Sequence, residues 1–432
     1  MSNKYDSYKD SGIEWIGEIP SHWMVKKLKY LFNNLNSIRV PLSSEERGEM
    51  EVRVYDYYGA SGVIDYVENY LFEDDNILIG EDGANLITRS KRLAFIASGK
   101  YWVNNHAHII NPKNGNIKYF CELLERIDYS IWISGSAQPK LTQEALMNIN
   151  LIEPPVQEQN TIAKFLDQKM SQIDDLITKK ERLIQLLEEE RTAIINQAVT
   201  KGLDPTVPMK DSGIEWLGEI PAHWEVKSFR FCIDILTDYT ANGSFASLAE
   251  NVTYYDSGYS RLVRLTDLRV DLSNEGLYVD EHAHNFLKKS ELFGGEILIA
   301  NVGAYAGLVM QMPIMEGKFT LGPNMFLVRL NQNTEFFLYQ LNAPFCAEQL
   351  KMMSVSSAQP KLNKENIRQL KVVTPPIEEQ NLIANHILKE KSRIETITAK
   401  TQQEIELLKE FKTALISEVV TGKVDVRNEI LN

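Results

Sequence analysis

Apolar residues recur at steps of three and four along two long stretches of the chain. In 155–200 they fall at Ile162, Leu166, Ile173, Leu176, Ile184, Leu187 and Ile194. In 375–421 they fall at Ile383, Ile387, Ile394, Ile397, Ile405, Leu408 and Leu415. This period predicts two helices with one apolar stripe each. The first opens on prolines, which a first helical turn tolerates, and on Glu158, which suits a helix N-terminus; the second repeats the arrangement. Lys201-Gly202-Leu203-Asp204-Pro205 and Val420-Thr421-Gly422-Lys423 supply the stop signals. About 44 residues at about 1.5 Å each span roughly 65 Å, more than the width of a small domain. Alone, such a helix has nowhere to bury its stripe. Two of equal length can bury their stripes on each other, so an antiparallel or crossing coiled-coil pair is expected. Some steps are longer than four, and Lys169 and Lys180 lie on the line, so the seam is expected to be imperfect.

The segments between, about 27–135 and 228–356, instead carry short apolar runs broken by turn residues, which predicts α+β architecture. Asn76-Ile77-Leu78-Ile79-Gly80-Glu81-Asp82-Gly83 and Glu296-Ile297-Leu298-Ile299-Ala300-Asn301-Val302-Gly303 have the form of buried strands entering a turn. Their matching positions suggest that both segments share one fold.

The flanks of these segments are nearly the same sequence twice. Lys9 to Lys26, containing DSGIEWIGEIPSHW, returns as Lys210 to Lys227 with mismatches only at Ile16/Leu217, Ser21/Ala222 and Met24/Glu225. Ser136-Ala137-Gln138-Pro139-Lys140-Leu141 returns at Ser357 to Leu362, and Pro154-Pro155-Val156-Gln157-Glu158-Gln159-Asn160 returns at Pro375 to Asn381. The offset is 201 residues for the first block and 221 for the others. Two constant frames therefore hold two variable inserts. A period near 200 marks a domain duplication, since solenoid repeats run to about 20 to 50 residues.

A length of 432 residues allows two to four domains, and an apolar share of 44% is ordinary for a soluble protein. No apolar stretch of about 18 residues and no apolar signal core occurs, so neither a membrane span nor export is expected. Cys121, Cys232 and Cys346 are widely spaced and lack CxxC or Cys/His clustering, as reduced thiols of the cytoplasm would be. No metal site is expected. The net charge of −13 argues against nonspecific polyanion binding as the main activity.

Each enzymatic motif that the residues suggest is incomplete. Glu153-Pro154-Pro155-Val156 and Thr374-Pro375-Pro376-Ile377 resemble the catalytic Asn/Asp-Pro-Pro-aromatic loop of amino-methyltransferases, but both lack the Asn or Asp and the aromatic. A helix N-terminus explains them. Neither a GxxxxGK[ST] nor a Gly-rich loop after a strand marks a nucleotide or S-adenosylmethionine pocket. Glu316-Gly317-Lys318 and Asp167-Gln168-Lys169 are poor matches to a nuclease centre, the first without an upstream Asp and the second inside the long helix. The duplicated pairs His22-Trp23 and His223-Trp224 are best explained as packing with a satisfied imidazole.

Together, the paired DSGIEW[IL]GEIP[SA]HW segments, the SAQPKL turns and the PPxxEQN-led helices resemble the specificity subunit of type I restriction-modification systems, over nearly the whole chain. The resemblance implies an α+β fold with internal pseudo-two-fold duplication: two target recognition domains of mixed α/β character joined by two long antiparallel coiled-coil helices. Residues 1–153 would be the first target recognition domain, 154–203 the first spacer helix, 204–374 the second target recognition domain, and 375–432 the second spacer helix and tail. It further implies a non-catalytic, cytoplasmic reader of a bipartite asymmetric site in double-stranded DNA. Its partners would be two methyltransferase subunits and the restriction/translocase subunits, and no membrane. The chain itself would hold no cofactor; S-adenosylmethionine, ATP and Mg would sit on the partners. Target adenines lie within a duplex, so the partners would flip them while this chain holds the register. Half-sites near one helical turn apart, about 34 Å, suit such a reader, with the helices as ruler.

Base reading needs polar and cationic side chains on loops. The first insert offers Arg89, Lys91 and Arg92, with Asn104, Asn105 and His106 in a turn. The second offers Arg261, Arg264 and Thr266, next to Tyr259, Ser260 and Asp267, and also Lys288 and Lys289. Gln138 and Lys140, with Gln359 and Lys361, belong to the repeated turn; identical in both halves, they can hold phosphate or frame. The Tyr57 to Gly62 turn also resembles a family pattern and equally fits a plain turn. Methyltransferases wrapping the duplex would supply the phosphate neutralisation that an acidic reader lacks. A scaffold joining two protein-binding domains would have the same coiled coil. Divergent inserts in a near-identical frame favour the reader.

Overall fold

The computed structural model describes residues 4–134, 139–354 and 360–429. Both periodic stretches are continuous helices, Val156–Lys201 with 46 residues and Ile377–Val420 with 44. The chain divides into two compact units, 1–181 with 402–432, and 182–401. Each holds one insert, one frame and part of both long helices.

Within the first unit the two helices run antiparallel, since Asp174 meets Lys412 at 2.6 Å and, further along, Lys180 meets Glu404. Within the second, Glu190 meets Arg393 at 2.7 Å. These exposed pairs set register more than stability. Burial of Ile162, Leu166, Ile173, Leu187, Ile383, Ile387, Ile394 and Ile405 follows the expected stripe. Leu176, expected on it, is instead 41% exposed, and Ile416 is buried beside the expected Leu415. The buried line of the first helix steps by sevens through Leu166, Ile173, Lys180 and Leu187, and Leu176 falls off it. Between these positions the half-buried Met170, Ile177 and Ile184 step by sevens as well, so Leu176 lies one residue, about 100° of helix turn, off the covered seam.

The inserts, unlike in sequence, share a topology. In the first unit an antiparallel sheet runs in the order Phe32–Asn34, Ala107–Pro112, Asn76–Gly80, Ala94–Ala97. In the second the order is Ile233–Asp238, Met325–Leu330, Ile297–Ala300, Val309–Gln311. The central strands Asn76–Gly80 and Ile297–Ala300 are buried at every position, as strands covered on both faces must be. A second sheet sets Tyr55–Gly59 parallel to Tyr101–Val103, and Ser260–Val263 parallel to Phe319–Leu321. Helices Ile117–Arg126 and Thr334–Asn342 bury the same face, Tyr119, Phe120, Leu123 and Leu124 in one and Phe336, Phe337, Gln340 and Leu341 in the other.

The repeated motifs are the joints between frame, insert and helix. Strand Met24–Lys27 pairs with Asn150–Glu153, and Glu225–Ser228 with Lys371–Thr374, so each insert is clamped where it leaves and re-enters the frame. Trp23 and Trp224 are fully buried. Glu158, in the first turn of its helix, accepts from His22 Nε2 at 2.8 Å and from the Trp23 indole at 3.1 Å; Glu379 accepts from His223 at 2.8 Å. Gln159 accepts from the Asn116 backbone and donates to the Pro154 carbonyl, while Asn160 accepts from the Asn116 amide. Gln380 and Asn381 repeat this with Asn333 and Pro375. Asn116 and Asn333 are the N-caps of the insert helices. Each residue of the EQN triplet thus has a partner far away in sequence, and the His-Trp pairs are packing joints.

Candidate nucleic-acid interface

Four loops converge on one rim of each unit, tied by backbone hydrogen bonds. In the first unit Asn104 N–H donates to Tyr58 O (3.0 Å), Glu81 N–H to His106 O (2.8 Å), Leu141 N–H to Glu81 O (2.8 Å) and Gly83 N–H to Pro139 O (3.2 Å). The second repeats the pattern: Gly322 to Val263 (2.7 Å), Asn301 to Asn324 (3.1 Å), Leu362 to Asn301 (2.8 Å) and Gly303 to Pro360 (2.9 Å). The turn after Tyr55–Gly59 comes so close that a Cβ on Gly80 would lie 2.9 Å from the Ala60 carbonyl. Because backbone groups satisfy one another here, side chains can differ without loosening the rim.

On the first rim the cations meet carboxylates. Glu81 is bound by Arg39 at 2.6 Å and Lys140 at 3.2 Å, with His108 at 3.6 Å. Burial pushes the Glu81 carboxyl up, but the Arg39 hydrogen bond and the nearby His108 and Lys140 outweigh it and hold it below the usual range. His108 is fully buried; its Nε2 donates to the Leu141 carbonyl at 2.8 Å and its Nδ1 accepts from the Asn36 amide at 2.8 Å. Burial pushes this imidazole down despite the Leu141 bond and the Glu81 charge. His106 donates to Asp82 at 2.9 Å, and buried Asn104 closes the turn by accepting from the His106 N–H at 2.8 Å. Asn105 is exposed.

Of the sequence candidates in the first unit, Asn104, Asn105 and His106 of the insert and Lys140 of the repeated turn therefore share the rim. Arg89, Lys91 and Arg92 occupy the turn after a short helix, Asn85–Thr88. There Arg89 donates to the carbonyls of Ile127 (2.9 Å) and Glu125, and Arg92 pairs with Glu122 at 2.7 Å, as suits cations at the end of helix Ile117–Arg126. Lys91 is exposed.

In the second unit Arg264, Thr266 and Lys361 belong to the rim. Arg264 grips fully buried Asp267 through Nε (3.0 Å) and one terminal nitrogen (2.8 Å). Burial raises the Asp267 carboxyl, and hydrogen bonds from Arg264 and Asn274 more than reverse this. Thr266 and Lys361 are exposed. Arg261 instead donates to Leu272 O (2.9 Å) and Asn274 O (3.0 Å), Lys288 pairs with Glu291 (2.6 Å), and Lys289 reaches Ala241 O (3.2 Å), all off the rim. Gln138 and Gln359 lie outside the described residues.

Sequence reasoning did not single out Arg39, Glu81 and Asp82 of the first rim, nor Asn301, Asn324, Arg269 and Tyr305 of the second. Aligning the two buried strand runs would have found part of this: Glu81-Asp82-Gly83 stands where Asn301-Val302-Gly303 does. Of the nuclease-like triplets, Asp167 pairs with Lys118 at 2.5 Å, and Lys318 lies over the Tyr259 ring at 3.7 Å.

Among the described residues no helix is long and apolar enough to cross a membrane. The family described as type I restriction modification DNA specificity domain matches residues 20–188 and 257–407. A putative type I restriction enzyme specificity subunit of Haemophilus influenzae is 25% identical over 86% of this chain and 88% of its own length. A type I restriction enzyme specificity subunit of Methanocaldococcus jannaschii is 25% identical over 68% of this chain and 66% of its own. The crystal structure of the HsdS subunit from Thermoanaerobacter tengcongensis shares the fold, with TM-score 0.61 at 12% identity over 94% of this chain and 98% of that one.

Proposed function

Because the chain belongs to the type I restriction modification DNA specificity family, we propose that it is the non-catalytic subunit that reads both halves of a split, asymmetric DNA site. One observation carries this reading: two units of the same topology present different side chains on equivalent rims. Where the first rim has Glu81, Asp82 and His106, the second has Asn301, Val302 and Asn324. A symmetric reader would repeat its side chains, whereas here only the joints repeat.

The two long helices are the spacer between the readers. Removing one turn, about four residues or 6 Å, from both is expected to change the gap between half-sites while leaving the bases of each half unaltered. Methylation mapping would show it, and an unchanged gap would refute the spacer role.

Two methyltransferase subunits and restriction/translocase subunits are the proposed partners, carrying S-adenosylmethionine, ATP and Mg. With a net charge of −13, this chain needs phosphate neutralisation from elsewhere. The isolated chain is therefore expected to bind its duplex weakly with a shallow salt dependence, and the complex with the methyltransferases tightly with a steep one. Titrations of both against a labelled duplex at several salt concentrations test this. Mapping of methylated adenines in cells carrying the complex tests the function itself, and absence of any split motif with a fixed gap would refute it.

A further inference from the structure

We infer that Arg269, stacked on Tyr305, reads a guanine in the half-site of the second unit; this rests on the DNA-reading function proposed above. Arg269 is the C-cap of the short rim helix Leu265–Leu268, and its guanidinium carbon sits 4.5 Å from the centre of the Tyr305 ring. Both are on the surface, Tyr305 being 45% exposed. A guanidinium held over a ring spends no N–H group on a hydrogen bond, so its donors stay available to another partner. Among the described residues Arg269 makes no ion pair and no side-chain hydrogen bond. The other arginines of this region are already engaged, Arg264 by Asp267 and Arg261 by the carbonyls of Leu272 and Asn274.

Both members of the stack are held in place beforehand. Asp267 accepts from the Arg264 backbone at 2.9 Å and from Asn274 at 2.9 Å, fixing the helix that ends at Arg269. Arg264 is thus a positioning residue. Tyr305 sits in a tight turn in which Ala306 donates to Gly303 (2.9 Å), Leu308 to Tyr305 (2.9 Å) and Gly307 to Ala300 (2.8 Å). That turn is tied through Gly303 to Pro360 of the repeated loop. A solvent-exposed guanidinium fork on a fixed backbone matches the O6 and N7 acceptors of guanine in the major groove, and no other base edge offers two acceptors so placed. On the first rim Lys140 and His106 are held by Glu81 and Asp82, so a free arginine fork distinguishes the second.

The test uses the full chain in complex with its methyltransferase partners, on duplexes of the mapped split site in which each base pair is replaced in turn. Arg269→Ala is expected to lose about 10- to 100-fold discrimination at one G·C pair of one half-site, leaving the other half intact. Arg269→Lys keeps the charge but not the fork, so it should lose that discrimination with an unchanged salt slope. Tyr305→Leu should weaken the same discrimination in part. Because both side chains are exposed, unfolding midpoints should match the wild type. Uniform weakening on every duplex, with the salt slope lowered by about one, would make Arg269 a phosphate contact and overturn the inference. So would unaltered selectivity in Arg269→Ala. If the wild type selects no split site, the parent reading fails and takes this inference with it; a selective wild type with unaffected variants refutes the inference alone.

Discussion

Trp23→Ala is expected to destabilise the first compact unit by about 3–5 kcal/mol, the usual cost of truncating a buried aromatic. Trp23 has no exposed surface, meets Tyr5 edge-on at 5.9 Å, and gives its indole N–H to Glu158. Its removal leaves a cavity and strips buried Glu158 of one donor, which sets the cost toward the upper end of that range. Trp224 occupies the same joint in the second unit, but among the described residues its N–H has no partner. Trp224→Ala should therefore cost less, by about 1 kcal/mol, since it loses packing alone. Hydrogen exchange resolved along the chain separates the two units where a single melting curve would not. Equal losses in the two variants would contradict the role given to Glu158.

Gly422→Ala is expected to cost the first unit about 2–5 kcal/mol. Gly422 ends the second long helix at φ +75°, and a Cβ there would lie 2.5 Å from Pro20 Cδ and 2.9 Å from the Trp23 ring. The left-handed backbone costs an alanine about 1–2 kcal/mol, and forced overlap in a packed joint about 1–3 more. Gly202, at the end of the first helix, has φ +74° but more room, its nearest neighbours Glu379 and Trp224 lying at 3.2 Å. Gly202→Ala should then show little beyond the backbone cost, about 1–2 kcal/mol. Hydrogen exchange resolved along the chain, with the two variants side by side, measures the difference in each unit, and a Gly202→Ala effect equal to that of Gly422→Ala would rule out the overlap.

What could be read in advance depended on how far apart the partners lie. The long helices were legible because their signal is a local period, yet Leu176 lies one residue off a seam that only the packed pair reveals. The identical frames were legible, and so was the helix-start role of the PPxxEQN segment. That Glu158 is the acceptor for His22 and Trp23 could not be seen, because the partners are 136 and 135 residues apart. The surroundings of the polar candidates were hidden for the same reason. Asn104, Asn105 and His106 lie in the turn that their residue types announce. Arg89 and Arg92 looked equally suited to a DNA surface, but the fold brings Glu125 and Glu122 against them.

The amino-acid sequence alone determined the duplication, the two helices and the division into constant frame and variable insert, because each is written as a period or as a direct repeat. Tertiary structure decided which cations are neutralised and which stay free. Arg264 and Arg269 are five residues apart at the two ends of one short helix, yet one meets a buried carboxylate and the other an exposed ring. The availability of a charge depends on neighbours contributed by distant segments, and no spacing along the chain encodes it.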